Sequence, residues 1–243
     1  TEHHRAEAQE INAVEGVTPG ARGQGSVMKR TFVIGDIHGC LDKLGDLFAR
    51  MAPADADRLV FLGDYIDRGE HVFDVVEYLV ELSSRYDCVF LRGNHEDLFL
   101  EYLEFGSNER VFFANGGRQT VESYVSPDRF TSRDQLVRAI PQAHRDFFSR
   151  LVWYHEDGRY LYVHAGVRPG VGLDGQSRQD LVWIRDEFIF TPHSLPYKVV
   201  FGHTPFARPL VMEDKIGIDT GAVYGGPLTA VVLPEEAFIQ SFR

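Results

Sequence analysis

The sequence predicts an α/β fold built around a parallel or mostly parallel sheet. Between residues 31 and 105, strand-like apolar runs alternate with segments whose apolar residues recur at helical spacing. Such alternation is typical of parallel strands joined by crossover helices. Further strand-like runs follow residue 158, so we expect the second half of the chain to add more strands.

The first half contains three strand–helix units. The predicted strands are Thr31–Ile34, RLVFLGD at 58–64 and CVFLRGN at 88–94. A helix is predicted after each strand because apolar residues fall on one helical face. These residues are Leu41, Leu44, Leu47, Phe48 and Met51 in the first helix and Val72, Val75, Val76 and Leu79 in the second, and the third helix is HEDLFLEYLEF at 95–105.

The rest of the chain contains a mixed segment and then four strands. Residues 106–158 are predicted to be mainly helical, with turns at Gly116-Gly117 and Ser126-Pro127. The later strands are RYLYVHAG at 159–166, KVVFGHT at 198–204, KIGIDTG at 215–221 and LTAVVL at 228–233. We expect residues 28–243 to form a single catalytic domain. The glycine-rich segment 1–27 is predicted to be a flexible tail, with Met28 as a candidate natural start.

The composition is that of an ordinary globular protein. Hydrophobic residues make up 44% of the 243-residue chain and charged residues 25%. A net charge of −11 disfavours strong nucleic-acid binding. Cys40 and Cys88 are the two cysteines, too few for a disulfide framework, so a reducing, cytoplasmic location is expected. No apolar run is long enough to span a membrane.

Polar residues follow five of the predicted strands. The side chains at these strand ends are Asp36 and His38, Asp64, Asn94 and His95, His164, and His203. The carboxyl ends of strands in open α/β sheets face the ligand crevice, so we expect these side chains to meet at one rim. One histidine at a strand end is weak evidence for a site, but five consecutive cases predict a functional one.

Carboxylate, carboxamide and imidazole groups form mixed oxygen and nitrogen sites that suit Mn²⁺, Fe, Zn²⁺ or Mg²⁺. Two ions roughly 3.5–4 Å apart can clamp a displacement at phosphorus. A carboxylate must then bridge the ions. Asp64 is the candidate because it lies between the first and third strand motifs.

Five motifs carry a family resemblance: GDIHG at 35–39, GDYIDRG at 63–69, RGNHE at 92–96, HAG at 164–166 and GHT at 202–204. In this order they resemble the dinuclear phosphoprotein phosphatase family of calcineurin-like metallophosphoesterases, in its bacterial, lambda-phosphatase-like branch. The likeness runs from about Arg30 to the C-terminus, with FFANGGRQT, LVWIRDEF and DTGAVYGG also similar. It implies a central β-sandwich of mixed sheets flanked by helices.

The resemblance also implies a role for each motif residue. Asp36, His38 and Asp64 would hold one metal, and Asp64, Asn94, His164 and His203 the other. The two divalent ions would be Mn²⁺ by preference, with Fe, Zn²⁺ or Ni²⁺ as alternatives, and a hydroxide bridging them would be the nucleophile. His95 would be the general acid, oriented by Asp67. Arg68 and Arg185 would bind phosphate oxygens, with Arg92 and Tyr224 as further candidates near the substrate.

The substrate is left open between two classes. The preferred interpretation is a serine/threonine phosphoprotein phosphatase acting on phosphoproteins or phosphopeptides. The alternative is a symmetrical diadenosine tetraphosphatase or another nucleotide polyphosphate hydrolase. A non-catalytic binding protein is disfavoured because every ligand and the acid are present. We expect residues 106–158 to line the substrate pocket. The aromatic residues of this segment could stack a base or pack a helical cap, and packing is the preferred interpretation; they are Phe112, Phe113, Tyr124 and Phe130.

Overall fold

The computed structural model describes residues 30–242 of the chain. The predicted tail at 1–27 lies outside the described residues. Within this described part, no helix is long and apolar enough to cross a membrane.

The first sheet contains five strands: β1 (Thr31–Ile34), β2 (Arg58–Phe61), β3 (Asp87–Phe90), β9 (Thr229–Leu233) and β10 (Ala237–Gln240). Their order is β10-β9-β1-β2-β3. β1, β2 and β3 are parallel, as the strand–helix alternation predicts. β9 pairs antiparallel with β1, and β10 pairs antiparallel with β9, so the sheet is mixed.

The second sheet also contains five strands: β4 (Tyr154–Asp157), β5 (Tyr160–Val163), β6 (Lys198–Phe201), β7 (Leu210–Val211) and β8 (Lys215–Gly217). Their order is β4-β5-β6-β8-β7. β5, β6 and β8 are parallel, and the two edge strands β4 and β7 are antiparallel to their neighbours.

The two sheets pack face to face. Val33 and Val60 of the first sheet share an apolar cluster with Tyr162 and Val200 of the second. Adjacent residues of a strand point to opposite faces. The neighbours of Val33 therefore pack on the other side, in the cluster that the helices cover. The sandwich of mixed sheets flanked by helices is thus confirmed.

Nine α-helices surround the sheets in the described residues: α1 (Leu41–Met51), α2 (Val72–Arg85), α3 (Asn94–Phe105), α4 (Glu109–Ala114), α5 (Gly117–Tyr124), α6 (Arg133–Ala139), α7 (Gln142–Ser149), α8 (Arg178–Trp183) and α9 (Asp186–Ile189). Short 3₁₀ helices occupy Leu173–Gly175 and Ala222–Tyr224. Phe112 is fully buried and stacks on Tyr102. Phe113, Tyr124 and Phe130 pack against the same core, so these aromatic residues form the helical cap as expected.

Three strands were not predicted from the sequence, and the parallel strands that were predicted are divided between two sheets. β4 lies within the segment predicted to be mainly helical, because its sequence YHED is polar and only partly buried. β7 has two residues, which is too short for any periodic pattern. β10 is an edge strand whose first two residues are exposed, so it lacks a buried apolar run.

Candidate metal centre

The segments that follow five strands meet at one rim of the sandwich. These strands are the parallel neighbours β1, β2 and β3 and, in the second sheet, β5 and β6. Their ends carry Asp36, His38, Asp64, Asn94, His95, His164 and His203. Each of these side chains is at most 5% exposed. The polar groups of the rim are therefore buried together.

Asp64 is shared by two groups of candidate ligands. Its Oδ2 lies 3.5 Å from His38 Nε2, and its Oδ1 lies 3.4 Å from His164 Nε2. Ligand atoms of His38, Asp64 and His95 lie within 4.8 Å of one another, and so do those of Asp64, His164 and His203. A carboxylate common to both groups can bridge two cations.

Two histidines are fixed in the tautomer that suits metal binding. Nδ1 of His38 lies 2.8 Å from the Ile66 carbonyl oxygen, and Nδ1 of His164 lies 2.8 Å from the Leu62 carbonyl oxygen. A carbonyl oxygen can only accept, so Nδ1 carries the proton in both rings and the Nε2 lone pair faces the site.

Several buried acceptors in the site lack a donor. Nε2 of His203 has no hydrogen-bond partner. Nε2 of His164 lies 3.0 Å from Oδ1 of Asn94, although both atoms are acceptors in these forms. Buried polar groups are rarely left unsatisfied, and acceptors facing acceptors repel. A divalent cation bound by these atoms removes both problems, so the residues present fit a metal.

Asp36 belongs to neither of the two ligand groups that share Asp64, and both of its oxygens are within hydrogen-bonding distance of the His203 backbone N–H, at 3.1 and 3.0 Å. This approach depends on Gly202, because a Cβ there would lie 2.1 Å from Asp36 Oδ1. A Cβ on Gly93 would lie equally close, 2.1 Å, to Asp64 Oδ1. Glycine is therefore required beside both carboxylates.

Burial controls the charge of the site. It lowers the pKa of His164 to about 3 and also lowers the pKa of His38 and His203, with nearby cationic groups adding to the shift. The neutral imidazole is the form that binds metals. Burial and the Glu96 carboxylate raise the pKa of Asp64 well above its usual value. Bound divalent cations would oppose this shift, because positive charge favours the ionised carboxylate.

His95 and Asp67 form a buried pair beside Asp64. Nδ1 of His95 lies 2.6 Å from Asp67 Oδ2, and its Nε2 lies 3.9 Å from Asp64 Oδ2. Burial raises the pKa of Asp67 to about 8 and lowers the pKa of His95. Burial therefore favours one proton shared between the two side chains. The carboxylate orients the ring so that Nε2 faces the site, which is the arrangement a proton donor needs.

Five residues of the site have left-handed backbone conformations that are uncommon outside glycine. They are His38, Asp64, Asp67, Arg68 and His203, with φ between 46° and 69°. Each such residue is strained by roughly 1–3 kcal/mol, which the surrounding structure must offset.

Glu96 stabilises this strained backbone, a role that the sequence analysis missed although Glu96 ends the RGNHE motif. Its fully buried carboxylate accepts hydrogen bonds from the backbone N–H groups of Asp64, Tyr65, Ile66 and Gly93, at 2.8–3.3 Å. These contacts join the loop after β2 to the start of α3. The only signal in the sequence was its place in the motif.

The predicted substrate-binding residues lie in different surroundings. Arg68 Nη1 donates to His38 Nε2 at 2.7 Å, and its guanidinium lies 5.6 Å from the centre of the exposed Tyr224 ring. Arg185 is exposed, and its positive charge adds to the effects of burial and Arg68 in lowering the pKa of His95. Arg92 lies near the site in sequence, but its guanidinium pairs with Asp97 and lies over Trp153.

Thr120, in FFANGGRQT, is a second residue to which the sequence analysis gave no role. Its fully buried hydroxyl donates to Asp67 Oδ1 and accepts from the Asp67 backbone N–H at 3.0 Å. Thr120 lies on α5, so the helical cap holds the carboxylate that orients His95.

We expect Thr120→Val to lower kcat for phenyl phosphate by about tenfold, part of the roughly 10²–10⁴-fold that a general acid contributes. The loss on p-nitrophenyl phosphate should be smaller, because p-nitrophenolate departs without protonation. Steady-state kinetics on both esters measure the difference. Thr120→Ser is the matched control and should stay near wild type, since it keeps the hydroxyl. Equal losses on the two esters would show that Thr120 is merely structural.

The sandwich with candidate metal ligands at its rim is the arrangement of a metal-dependent phosphoester hydrolase. A family model described as calcineurin-like phosphoesterase matches residues 29–228, and the chain belongs to this family.

Similar proteins cover almost the whole chain. The asymmetrical bis(5′-nucleosyl)-tetraphosphatase PrpE of Halalkalibacterium halodurans is 26% identical over 85% of this chain and 91% of the relative. The protein of the same name from Bacillus thuringiensis is 31% identical over 84% and 90%. The crystal structure of a candidate diadenosine tetraphosphatase has a TM-score of 0.66 and 25% identity, covering 88% of this chain and 94% of its own. A serine/threonine phosphatase of Saccharomyces cerevisiae has a TM-score of 0.57 at 14% identity, covering 90% and 81%, and shares the fold.

Proposed function

We propose that this protein hydrolyses phosphoanhydride bonds of dinucleoside polyphosphates, as an asymmetrical bis(5′-nucleosyl)-tetraphosphatase. The observation that carries the proposal is the shared name of relatives that match about 90% of their own length. This substrate class replaces the phosphoprotein substrates that the sequence motifs favoured. The proposed cleavage also differs in regiochemistry from the symmetrical alternative, because asymmetrical cleavage yields a nucleoside triphosphate and a monophosphate.

Two divalent metal ions are part of this proposal, with Mn²⁺ as the preferred identity. Asp36, His38 and Asp64 would hold one ion, and Asp64, Asn94, His164 and His203 the other. When bound, the ions supply Lewis-acid polarisation of a phosphoryl oxygen and a water that is acidic enough to attack at neutral pH. The buried acceptors of His203, His164 and Asn94 support this assignment.

The remaining residues bind the phosphate and move a proton. His38 Nε2 accepts a hydrogen bond from Arg68, and the same lone pair would ligate a metal. One lone pair cannot serve both, so metal binding would free an Arg68 N–H for a phosphate oxygen. His95, oriented by Asp67, would donate its proton to the departing phosphate oxygen. Arg185 would add a second guanidinium at the exposed side of the site.

The test compares hydrolysis of diadenosine tetraphosphate with that of a phosphoserine peptide by the purified protein with Mn²⁺. We expect kcat/KM to be at least about 10²-fold higher for the tetraphosphate, since site groups that bind a nucleotide are left unpaired with a peptide. Chromatography of the products should show adenosine triphosphate and adenosine monophosphate in equal amounts. Preference for the peptide would restore the phosphoprotein phosphatase interpretation, and two molecules of adenosine diphosphate would restore symmetrical cleavage.

A further inference from the structure

A cavity of about 540 Å³ lies beside α3 and is also lined by residues of α6 and α7. Leu100, Leu103 and Phe148 give it apolar walls, and its charged lining residues are Arg92, Asp97, Glu101, Glu104 and Arg145. Its volume is within the range of roughly 300–1,000 Å³ that is common for small-molecule sites. None of the candidate metal ligands lines this cavity.

The cavity begins close to the metal centre. Asp97, which lines it, lies three residues after Asn94 on the same face of α3. At 1.5 Å per residue the two positions are separated by roughly 4.5 Å along the helix axis. Leu100 and Leu103 continue away from the site, so the cavity extends outward from a candidate metal ligand.

Arg92 lines the cavity and lies two residues before the candidate metal ligand Asn94. Its Nη2 is 2.8 Å from Asp97 Oδ1, and its guanidinium lies 4.7 Å from the Trp153 ring centre. The Nε atom is buried and has no hydrogen-bond partner, whereas the side chain as a whole is 23% exposed. Because Nε is buried, a phosphate oxygen would have to reach the Arg92 guanidinium through its Nη groups.

We propose that this cavity binds one nucleoside of the dinucleoside polyphosphate, and that Arg92 contacts the phosphate chain between the cavity and the metal centre. The inference rests on the proposed function. A ligand with phosphates at one end and a flat, largely apolar base at the other matches a cavity that runs from an arginine into leucine and phenylalanine side chains. The segment 137–151, within the region expected to line the substrate pocket, contributes much of this wall.

The test fills the cavity from its exposed edge with Ser149→Trp. Ser149 is exposed and is the last residue of α7. In the described structure its hydroxyl donates a hydrogen bond to the Asp146 carbonyl of the same helix. Ser83→Trp is the matched control. Ser83 is also exposed, bonds the Val80 carbonyl in the same way, and lines a separate cavity of about 650 Å³ between α2 and α7.

We expect Ser149→Trp to raise KM for diadenosine tetraphosphate by about tenfold or more, because a tenfold change in affinity requires the loss of only a few contacts with the ligand. Turnover of p-nitrophenyl phosphate, which has no nucleoside, should stay within about twofold. Adenosine triphosphate should inhibit that turnover less strongly in Ser149→Trp than in wild type. Ser83→Trp should change none of these quantities.

Two outcomes would overturn the inference alone while the proposed function stands. In the first, wild type hydrolyses the tetraphosphate and Ser149→Trp does so with an unchanged KM. In the second, Ser83→Trp raises KM as much as Ser149→Trp. A wild-type protein that hydrolyses p-nitrophenyl phosphate but not diadenosine tetraphosphate would instead overturn the proposed function, and the inference with it.

Discussion

Replacing Asp64 by asparagine is expected to lower kcat/KM by about 10³-fold or more on every phosphate ester. Metal ions contribute several kcal/mol of transition-state stabilisation, and 1.36 kcal/mol corresponds to a factor of ten in rate. Asp64 is the carboxylate shared by both ligand groups, so its charge would serve two ions at once. Asparagine is the suitable replacement because it tolerates the φ of 52° found at this position. The measurements are steady-state kinetics and metal content by mass spectrometry.

Asp57→Asn is the matched control. Asp57 is 4% exposed and pairs with Arg30, just before β2 rather than at its carboxyl end. Its replacement should keep metal content and kcat/KM near wild type, at some loss of stability. Chelation of wild type should abolish activity and Mn²⁺ should restore it. Full activity of Asp64→Asn, or of wild type after verified metal removal, would contradict the dinuclear site.

The part of the site nearest to the strands could be predicted from sequence. Each short apolar run ends in a polar motif, and parallel strands bring their carboxyl ends to one rim. This reasoning places Asp36, Asp64 and His164 together without any knowledge of side-chain contacts. The structure agrees, since all three side chains are buried at the strand ends, where Asp64 lies 3.4 Å from His164 and Asp36 accepts from the His203 backbone N–H.

Contacts between distant segments could not be predicted in this way. Thr120 lies 53 residues after Asp67 and meets it only because α5 packs over the loop after β2. Glu96 accepts N–H groups from a loop about 30 residues earlier, as its bond to Ile66 illustrates. No periodic pattern marks either contact. The edge strands β4, β7 and β10 were missed for a related reason, since an edge strand needs neither a long nor an apolar sequence.

The sequence motifs could not predict the substrate class either. The same ligands and the same acid serve hydrolysis of a phosphoserine ester or of a phosphoanhydride, because both reactions displace an oxygen from phosphorus. The difference must lie in residues outside the metal centre. The cavity beside α3, which Arg92 also lines, is the part of the structure that we propose distinguishes a nucleotide from a peptide.

The second large effect is expected from replacing the proposed general acid, His95. His95→Asn is expected to lower kcat for phenyl phosphate by about 10²–10⁴-fold, the usual contribution of a positioned acid. The loss on p-nitrophenyl phosphate should be at least about tenfold smaller, because p-nitrophenolate is stable without a proton and phenolate is less so. Diadenosine tetraphosphate should resemble p-nitrophenyl phosphate, since the departing polyphosphate is a much weaker base than an alkoxide. The two aryl esters differ only by the nitro group, and the comparison uses kcat at saturating substrate, so a difference in substrate affinity does not enter it.

Asp67→Asn should show the same dependence on the leaving group in weaker form. Asp67 Oδ2 lies 2.6 Å from His95 Nδ1 and orients the ring, but it does not itself reach the ester. Asparagine tolerates the φ of 69° at this position, so the backbone should be preserved. Metal content must stay near wild type in both variants, because His95 also lies within 4.8 Å of His38 and Asp64 and could be a ligand instead. Equal losses on the two aryl esters, or the loss of one metal from His95→Asn, would assign His95 to metal binding rather than to proton donation.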